Sequence, residues 1–186
     1  PQMVATHSVS EDGLHWSFTL RDGLAFHDGA PVTAQDCVAS LKRWGPKDSL
    51  GRMMGTVLVD IAAKDARTFT ITLKEKFPLM LDVLGKPSAP VPFIMPERII
   101  KATGDKRISE IIGSGPFKFV ASEWRPGNVM TLARNDAYVP RQEPPDFLSG
   151  GKVVKVPRVL LKVMPDDSTG VTALLAGEID YMQYLP

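Results

Sequence analysis

Phe18-Thr-Leu-Arg-Asp-Gly-Leu-Ala-Phe-His-Asp-Gly-Ala-Pro-Val-Thr-Ala-Gln-Asp-Cys-Val-Ala-Ser-Leu-Lys-Arg43 is the stretch that decides the fold, because it predicts a strand, two turns and a helix in direct succession. Residues 15–20 alternate bulky and polar side chains, which is typical of a strand with one buried face. Asp22-Gly23 and Asp28-Gly29 each favour a turn, since glycine adopts positive φ and aspartate hydrogen-bonds its own backbone. The chain is therefore expected to reverse twice before the helix.

The helix that follows is marked at both ends. Thr33 and Asp36 stand three residues apart, the spacing of a helix-capping pair, and Gly45-Pro46 is typical of a helix end. The predicted buried face carries Val38, Leu41 and Trp44.

Composition and charge limit the classes of protein to which the chain can belong. Of its 186 residues, 44% are hydrophobic and 23% are charged, which suits one folded domain or one domain with a piece of another. The 22 basic and 21 acidic residues are interspersed and leave a net charge of +1, so we expect neither nucleic acid nor an anionic membrane as a partner. No stretch approaches the roughly 18–20 apolar residues of a membrane helix.

Alternating strands and helices are predicted along the rest of the first half. Residues 57–63 and 68–73 read as a hairpin, and the strict alternation of the second segment is the clearest strand signal in the chain. Residues 77–84 predict a short buried helix that ends at Gly85. A proline-bearing loop then runs to Pro96, which is expected to begin another helix.

The second half predicts a further hairpin and a strand-helix-strand unit. A helical turn is expected at 108–112, and strands at 117–120 and 128–134. Residues 136–151, rich in proline, glycine and charge, are typical of a surface excursion. The βαβ unit follows and comprises a strand at 158–164, a helix at 167–176 headed by Asp166 and Asp167, and a strand at 179–182.

The composition changes near residues 140–151, which suggests a boundary between two parts. Residues 1–150 are expected to form an α+β unit built from hairpins, and residues 151–186 a βαβ unit too small to stand as a domain. Residues 1–7 show neither the basic nor the apolar region of a secretory signal, and strands are expected close to both ends. We therefore expect an excised fragment whose ends say nothing about export.

Six features, taken in order, carry a resemblance to a known family. They are the opening stretch 18–43, the hairpin 60–73, the segment 89–96, Gly113-Ser-Gly-Pro-Phe117, Arg134-Asn-Asp-Ala-Tyr138 and Gly177-Glu-Ile-Asp180. In that order they resemble the family 5 extracellular solute-binding proteins, the peptide, dipeptide and nickel receptors of bacterial ABC importers.

The resemblance implies a type II periplasmic-binding-protein-like fold of two lobes and an extra subdomain, which encloses its solute by closing. This chain is expected to supply the small mixed α/β subdomain with its hairpins and the first βαβ unit of the adjoining lobe, and to bind solute weakly or not at all alone. The whole protein is then expected to be a monomeric receptor, periplasmic or lipid-anchored. It would deliver a peptide-like solute to ABC permease subunits without a cofactor and without catalysis.

Three residues are candidates for solute contact. Arg134, at a strand end, could clamp a carboxylate with two parallel hydrogen bonds, or instead satisfy carbonyls of the neighbouring excursion. Lys86 and Ser88, beside Pro87, could meet a solute or merely solvate a bend.

Catalytic and metal sites are not indicated by the residue patterns. His27 and Asp28 are adjacent, so in extended chain their side chains point to opposite faces, and Asp28 is explained by its turn. Cys37, the single cysteine, is predicted to be a small buried residue on the helix. The histidines at positions 7, 15 and 27 lack metal-ligand spacing and are expected to be surface or strand residues.

Other functions remain open from the sequence. The same fold segment occurs in proteins that use it as a sensor attached to a regulatory module, so a ligand-responsive regulator is an alternative. A receptor for a nickel chelate or another small solute is a second alternative. A hydrolase would need a nucleophile and a base outside this chain.

Overall fold

The computed structural model describes residues 2–147 and 149–183, arranged as two compact units. The first unit comprises the chain up to Lys118 together with Asn135–Lys155, and the second comprises Phe119–Arg134 together with the chain from Val156. Consequently the chain passes between the units at three peptide bonds: 118/119, 134/135 and 155/156. The predicted division at residues 150/151 stays a prediction. Pro1, Leu148 within the predicted excursion, and residues 184–186 lie outside the described residues.

An antiparallel sheet of four strands forms the centre of the first unit. Its strands are β1 (Val4–Val9), β2 (His15–Leu20), β3 (Leu58–Ala63) and β4 (Thr68–Leu73), in the order β1-β2-β4-β3. The three predicted strands are confirmed, and Phe18 of β2 lies opposite Phe69 of β4 with ring centroids 5.2 Å apart. Strand β1 was not predicted, because all but its first residue are exposed and no buried face marks the sequence.

Helix α1 (Ala34–Trp44) packs on this sheet and begins as predicted. Thr33 and Asp36 form a capping box: the Asp36 N–H donates to Thr33 Oγ1 at 3.4 Å, and the Thr33 N–H donates to Asp36 Oδ2 at 2.8 Å. Leu41 and Trp44 are buried as expected, and Val38 is half-buried against the core. The buried face of α1 therefore fixes the helix over β3 and β4.

Helix α2 (Ser49–Gly55) was not predicted, since Gly45-Pro46 reads as a stop signal. The chain instead makes a single 3-10 turn at Gly45–Lys47, and Asp48 caps the new helix by accepting from the Gly51 N–H at 2.9 Å. A Cβ atom at Gly51 would lie 2.6 Å from the Gly45 oxygen, so glycine is required for α2 to pack on the turn.

Two further helices complete the first unit. Helix α3 (Met80–Gly85) begins three residues later than predicted, and α4 (Glu97–Thr103) begins directly after Pro96, as predicted. The helical turn predicted at 108–112 is wrong: these residues are irregular and Ile111 is exposed. Five residues are too few to sustain a helix by themselves, and Glu110 forms an exposed ion pair with Arg98 of α4.

The second unit is built on a hairpin and a helix. The chain enters it within β5 (Phe117–Phe119) and continues through β6 (Val129–Arg134) and β7 (Arg158–Lys162), with sheet order β5-β6-β7. Strand β7 runs antiparallel to β6, and Leu132 lies opposite Val159. Helix α5 (Asp167–Leu175) begins as predicted, with Asp166 accepting from the Thr169 N–H at 2.8 Å.

The last strand of the predicted βαβ unit is absent. Residues 179–182 are irregular, and Tyr181 is 75% exposed. A strand needs a neighbour for its backbone N–H and C=O groups, and in the described part of the chain β7 pairs with β6 alone. The strand and helix at 158–162 and 167–175 are thus the two elements of this unit that form.

Candidate functional site

Lys86 and Ser88 lie in the first unit, in a segment that joins α3 to α4. We call residues 86–97 the proline segment, since Pro87, Pro90, Pro92 and Pro96 fall within it. Apart from Glu97, the first residue of α4, it contains no helix or strand, and its path is set by side chains from elsewhere in the unit.

Lys86 at the start of the proline segment forms a buried ion pair. Its Nζ lies 2.6 Å from Asp48 Oδ2, and the two side chains are 9% and 1% exposed. The hydrogen bond from Lys86 lowers the pKa of the Asp48 carboxyl, which also caps α2. A solute contact by Lys86 therefore has to compete with this ion pair. Asp48 was missed by sequence reasoning, because 38 residues separate it from Lys86.

A polar stripe on α1 holds the rest of the proline segment. Asp36, Ser40 and Trp44 are spaced four residues apart and so share one face of the helix. Asp36 Oδ1 accepts from the Glu97 N–H at 2.7 Å, and Ser40 Oγ accepts from the Met95 N–H at 2.9 Å. Trp44 Nε1 donates to the Pro90 oxygen at 3.0 Å. The segment is thereby fixed along most of its length.

Some side chains of the proline segment face solvent. Ser88 is exposed, and Phe93 is 71% exposed. The role of Ser88 in solute contact stays a prediction. The rigid backbone presents both groups without the ordering cost of a flexible loop.

Arg134 is the last residue of β6, in the second unit. It is exposed, and its backbone N–H donates to the Pro157 oxygen at 2.9 Å, which fixes the backbone from which the guanidinium extends. A guanidinium at a strand end has the geometry to hold a carboxylate with two parallel hydrogen bonds. Its role in solute contact stays a prediction.

His27 is the centre of a cluster that sequence reasoning missed. Its backbone N–H donates to the Gly113 oxygen at 2.8 Å, and its ring contacts the Gly113 N–H at 3.3 Å and the Gly115 oxygen at 3.1 Å. Asn135 Nδ2 also donates to the Gly115 oxygen, at 3.2 Å, and Lys118 Nζ donates to the His27 oxygen at 3.3 Å. These five residues are the His27 cluster, which joins three motifs far apart in sequence.

The hydrogen bonds of His27 define its protonation state. A backbone N–H can only donate, so Nδ1 accepts from Gly113 and carries no proton, while Nε2 carries the proton and donates to Gly115. Burial lowers the pKa of His27. The hydrogen bond to Gly115 opposes this shift, Lys118 adds to it, and Asp28 opposes it. His27 is half-buried in a turn, not a surface or strand histidine as the sequence suggested.

Asp28, the neighbour of His27 in sequence, forms its hydrogen bonds with other residues. Asp28 accepts from Arg98 Nη2 at 2.8 Å, and this hydrogen bond lowers the pKa of Asp28. Its Oδ1 accepts from the Ala30 N–H at 3.1 Å, as expected for a turn aspartate. The carboxylate therefore serves the Asp28-Gly29 turn and α4.

The cysteine and the potential metal ligands of the described residues can be assessed from burial and geometry. Cys37 is buried as predicted, and burial raises the pKa of its thiol to about 12, so almost no thiolate exists at neutral pH. Within residues 2–147 and 149–183, no group of three His, Cys, Asp or Glu side chains is arranged to hold a metal ion.

The excursion that begins at Asp136 is anchored to the β-sheet of the first unit by two arginines. Arg21 donates from Nη2 to the Val139 oxygen at 2.7 Å and lies over the Tyr138 ring, 6.0 Å from its centroid. Arg141 donates to the Val4 oxygen at 2.9 Å and forms a bidentate ion pair with Glu143. The Tyr138 motif thus has a structural role in this unit.

No helix in the described part of the chain is both long and apolar enough to cross a membrane.

The sequence and the fold both match known proteins. The model of the family "Bacterial extracellular solute-binding proteins, family 5 Middle" matches residues 1–186. A probable peptide ABC transporter periplasmic-binding protein, y4tO of Sinorhizobium fredii, is 45% identical over 188 residues, which cover 100% of this chain and 35% of that protein. This chain therefore spans about a third of the length of the curated relatives it matches.

Solved structures of binding proteins share the fold. The binding protein AgaA of A. tumefaciens R10, solved with agropinic acid, superposes with a TM-score of 0.75 at 27% identity and covers 96% of this chain and 34% of its own. NikZ of Campylobacter jejuni, solved with Ni(L-His), gives a TM-score of 0.74 at 25% identity over the same shares of both chains. The α+β architecture is therefore that of part of a type II periplasmic binding protein.

Proposed function

Because this chain belongs to the family 5 bacterial extracellular solute-binding proteins, we propose that the protein is the substrate-binding component of a bacterial ABC importer and captures a peptide-like solute. It would enclose the solute between two lobes and deliver it to permease subunits of the inner membrane. A periplasmic or lipid-anchored location accompanies this role.

The observation that carries the proposal is the 45% identity, along the whole chain, to a relative described as a probable peptide-binding component. The more distant curated relatives include D,D-dipeptide-binding and dipeptide-binding proteins. The proteins named in the comparisons are solute-binding proteins, which supports a binding role and not a catalytic one.

The three candidate residues offer the chemistry that a peptide requires. A peptide ends in a carboxylate, which the Arg134 guanidinium could hold through paired, charge-assisted hydrogen bonds. Ser88 could donate to a carbonyl from the rigid proline segment. Lys86 would contribute only if a solute anion displaced or joined its ion pair with Asp48.

A nickel chelate is the second candidate solute, favoured by the likeness to a structure solved with Ni(L-His). A chelate brings its own metal ligands, so a receptor can hold it through hydrogen bonds and charge without a cluster of protein ligands. The carboxylate of such a chelate is a group that Arg134 could also bind.

The length of the match limits what this chain does by itself. It spans about 35% of its relatives, so residues 1–150 are proposed to be a subdomain and residues 151–186 the beginning of a lobe. A solute enclosed between lobes touches both, and the isolated chain is therefore expected to bind weakly.

Thermal unfolding tests the proposal. The full-length protein is heated with a panel of dipeptides, oligopeptides, amino acids, an opine and Ni(L-His), and this chain is heated in parallel. A solute that binds only the folded state raises the Tm, by an amount that grows with concentration. A rise with peptides in the full-length protein alone supports the peptide assignment. A rise with Ni(L-His) alone transfers the assignment to the chelate, and no rise with any solute contradicts both.

A further inference from the structure

Two of the three connections between the units are attached to one turn of the first unit. Lys118 directly precedes the connection at 118/119, and Asn135 directly follows the one at 134/135. Asn135 donates its backbone N–H to the Pro116 oxygen at 2.9 Å and its Nδ2 to the Gly115 oxygen at 3.2 Å. Residues 113–116 therefore hold the point at which the chain returns to the first unit after β6, and they precede by two residues the point at which it leaves.

The ring of His27 makes two further contacts with residues 113–116. It contacts this turn through Nδ1 at the Gly113 N–H and through Nε2 at the Gly115 oxygen. The fit is close, since a Cβ atom at Gly113 would lie 3.3 Å from His27 Cε1. The backbone oxygen of His27 also accepts from Lys118 Nζ at 3.3 Å, so one residue bridges the turn and the first connection.

The charge on the His27 ring decides whether its hydrogen bond with the Gly113 N–H can form. An imidazolium has two N–H donors and no acceptor, so protonated Nδ1 would face the Gly113 N–H and that hydrogen bond would be lost. The Lys118 ammonium repels a second positive charge nearby. Asp28 attracts it, but its carboxylate is paired with Arg98, which also pairs with Glu110.

We propose that neutral His27 is a positioning residue that fixes residues 113–118 and Asn135, and that protonation of its ring releases this turn together with the two chain connections attached to it. Acid would then loosen the adjoining ends of β5 and β6, including the backbone that carries Arg134. The proposed release involves the chain connections themselves, so it does not depend on which solute the protein binds.

Hydrogen exchange followed by mass spectrometry tests this in the full-length protein, at about pH 8 and about pH 4. The lower value lies well below the ordinary histidine pKa because burial lowers the pKa of His27. Rates are corrected for the intrinsic pH dependence of amide exchange. Peptides that span residues 113–120 and 129–136 are compared with a peptide that spans β4. The variants are His27→Gln, which keeps a donor and an acceptor but does not titrate, and His27→Ala. His15→Gln, at an exposed histidine of β2, is the matched control.

The wild type is expected to lose about tenfold in protection of the two test peptides at the lower pH, the effect of one lost hydrogen bond. His27→Gln should keep its protection at both pH values, and His15→Gln should behave as the wild type. His27→Ala should show low protection already at pH 8.

Two results would overturn the proposal: a pH effect of equal size in His27→Gln and the wild type, or no change with pH in either. The comparison of these two proteins decides the matter even if His27→Ala does not fold. No solute is added in this experiment, so a negative result would not affect the proposal of solute binding. That proposal is tested by the thermal unfolding experiment.

Discussion

Lys86 and Asp48 form an ion pair in which Nζ lies 2.6 Å from Oδ2 while both side chains are almost wholly removed from solvent. The pair connects the start of the proline segment to the cap of α2. Removing one partner of such a pair leaves the other charge buried without compensation, which destabilises a fold more than loss of an exposed pair.

Asp48→Asn is therefore expected to lower the Tm by about 5–10 °C, since the asparagine can still cap α2 but leaves the Lys86 ammonium unpaired. Asp60→Asn is the matched control, because Asp60 pairs with Lys42 in an exposed position and its loss should change the Tm by no more than about 2 °C. Thermal unfolding followed by circular dichroism measures both. Equal Tm shifts in the two variants would show that the buried ion pair stabilises the protein no more than the exposed one.

Ser40→Ala tests the polar stripe of α1. The hydroxyl is buried and accepts from the Met95 N–H at 2.9 Å, so its loss leaves a backbone donor unsatisfied and should cost about 1–3 kcal/mol in the free energy of unfolding. Ser88→Ala, in the same segment but exposed, should stay within about 0.5 kcal/mol of the wild type. Urea titration gives the free energy of unfolding of both variants. An unchanged value in Ser40→Ala would show that the polar stripe does not stabilise the proline segment through this hydroxyl.

Two glycines of α2 should respond in opposite directions to alanine. Gly51→Ala places a Cβ atom 2.6 Å from the Gly45 oxygen and is expected to destabilise the protein by about 1–3 kcal/mol. A Cβ atom at Gly55 has no atom within 4 Å, so Gly55→Ala should stabilise by up to about 1 kcal/mol through helix propensity. Chemical denaturation of both variants provides the comparison, and a stable Gly51→Ala protein would refute the close packing of α2 on the 3-10 turn.

The pair of Arg141 and Glu143 predicts acid sensitivity. Hydrogen bonds from Arg141 lower the pKa of Glu143 to about 2 from 4.5, so its contribution to stability is complete above pH 4.5 and is lost as the pH falls towards 2. The Tm of Glu143→Gln should therefore lie below that of the wild type at pH 6 and converge with it near pH 2. Since the Glu143 side chain is exposed, added salt should reduce the difference. A difference that does not depend on pH would rule out the ion pair as its cause.

Arg134 is tested through binding. The ligand is a peptide that raises the Tm of the full-length protein. Arg134→Gln should weaken the affinity for this peptide by about tenfold or more, while Arg134→Lys should retain part of the affinity because lysine keeps a positive charge. Arg125→Gln, at an exposed arginine of the same unit, is the control and should bind as the wild type. Isothermal titration calorimetry gives the affinities. Unchanged binding in Arg134→Gln would assign this arginine a structural role only.

Local signals in the sequence predicted local structure well. The capping pair of Thr33 and Asp36 and the alternation at 68–73 act over a few residues, and both elements form as expected. Helix α2 was hidden because Gly51 and Gly55 have low helix propensity, and the cap at Asp48 outweighs them only once α2 packs on the 3-10 turn.

The candidate site was less accessible to sequence reasoning because its decisive partners are remote. Lys86 can be recognised as a cation in a loop, but Asp48, 38 residues away, is what it contacts. The contacts of the His27 ring bridge 86 and 88 residues, and no spacing rule links a turn histidine to a glycine turn so far along the chain. The strand expected at 179–182 failed for a similar reason, since a strand depends on a neighbour that its own residues do not specify.

The polar stripe of α1 binds the proline segment through backbone atoms: the amides of Met95 and Glu97 and the carbonyls of Pro90 and Met95. The course of the segment is therefore independent of most of its own side chains. Substitutions at exposed positions such as Ser88 and Phe93 can change the chemistry of this surface while its shape persists. Evolution can in this way diversify what the segment displays without having to rebuild the frame beneath it.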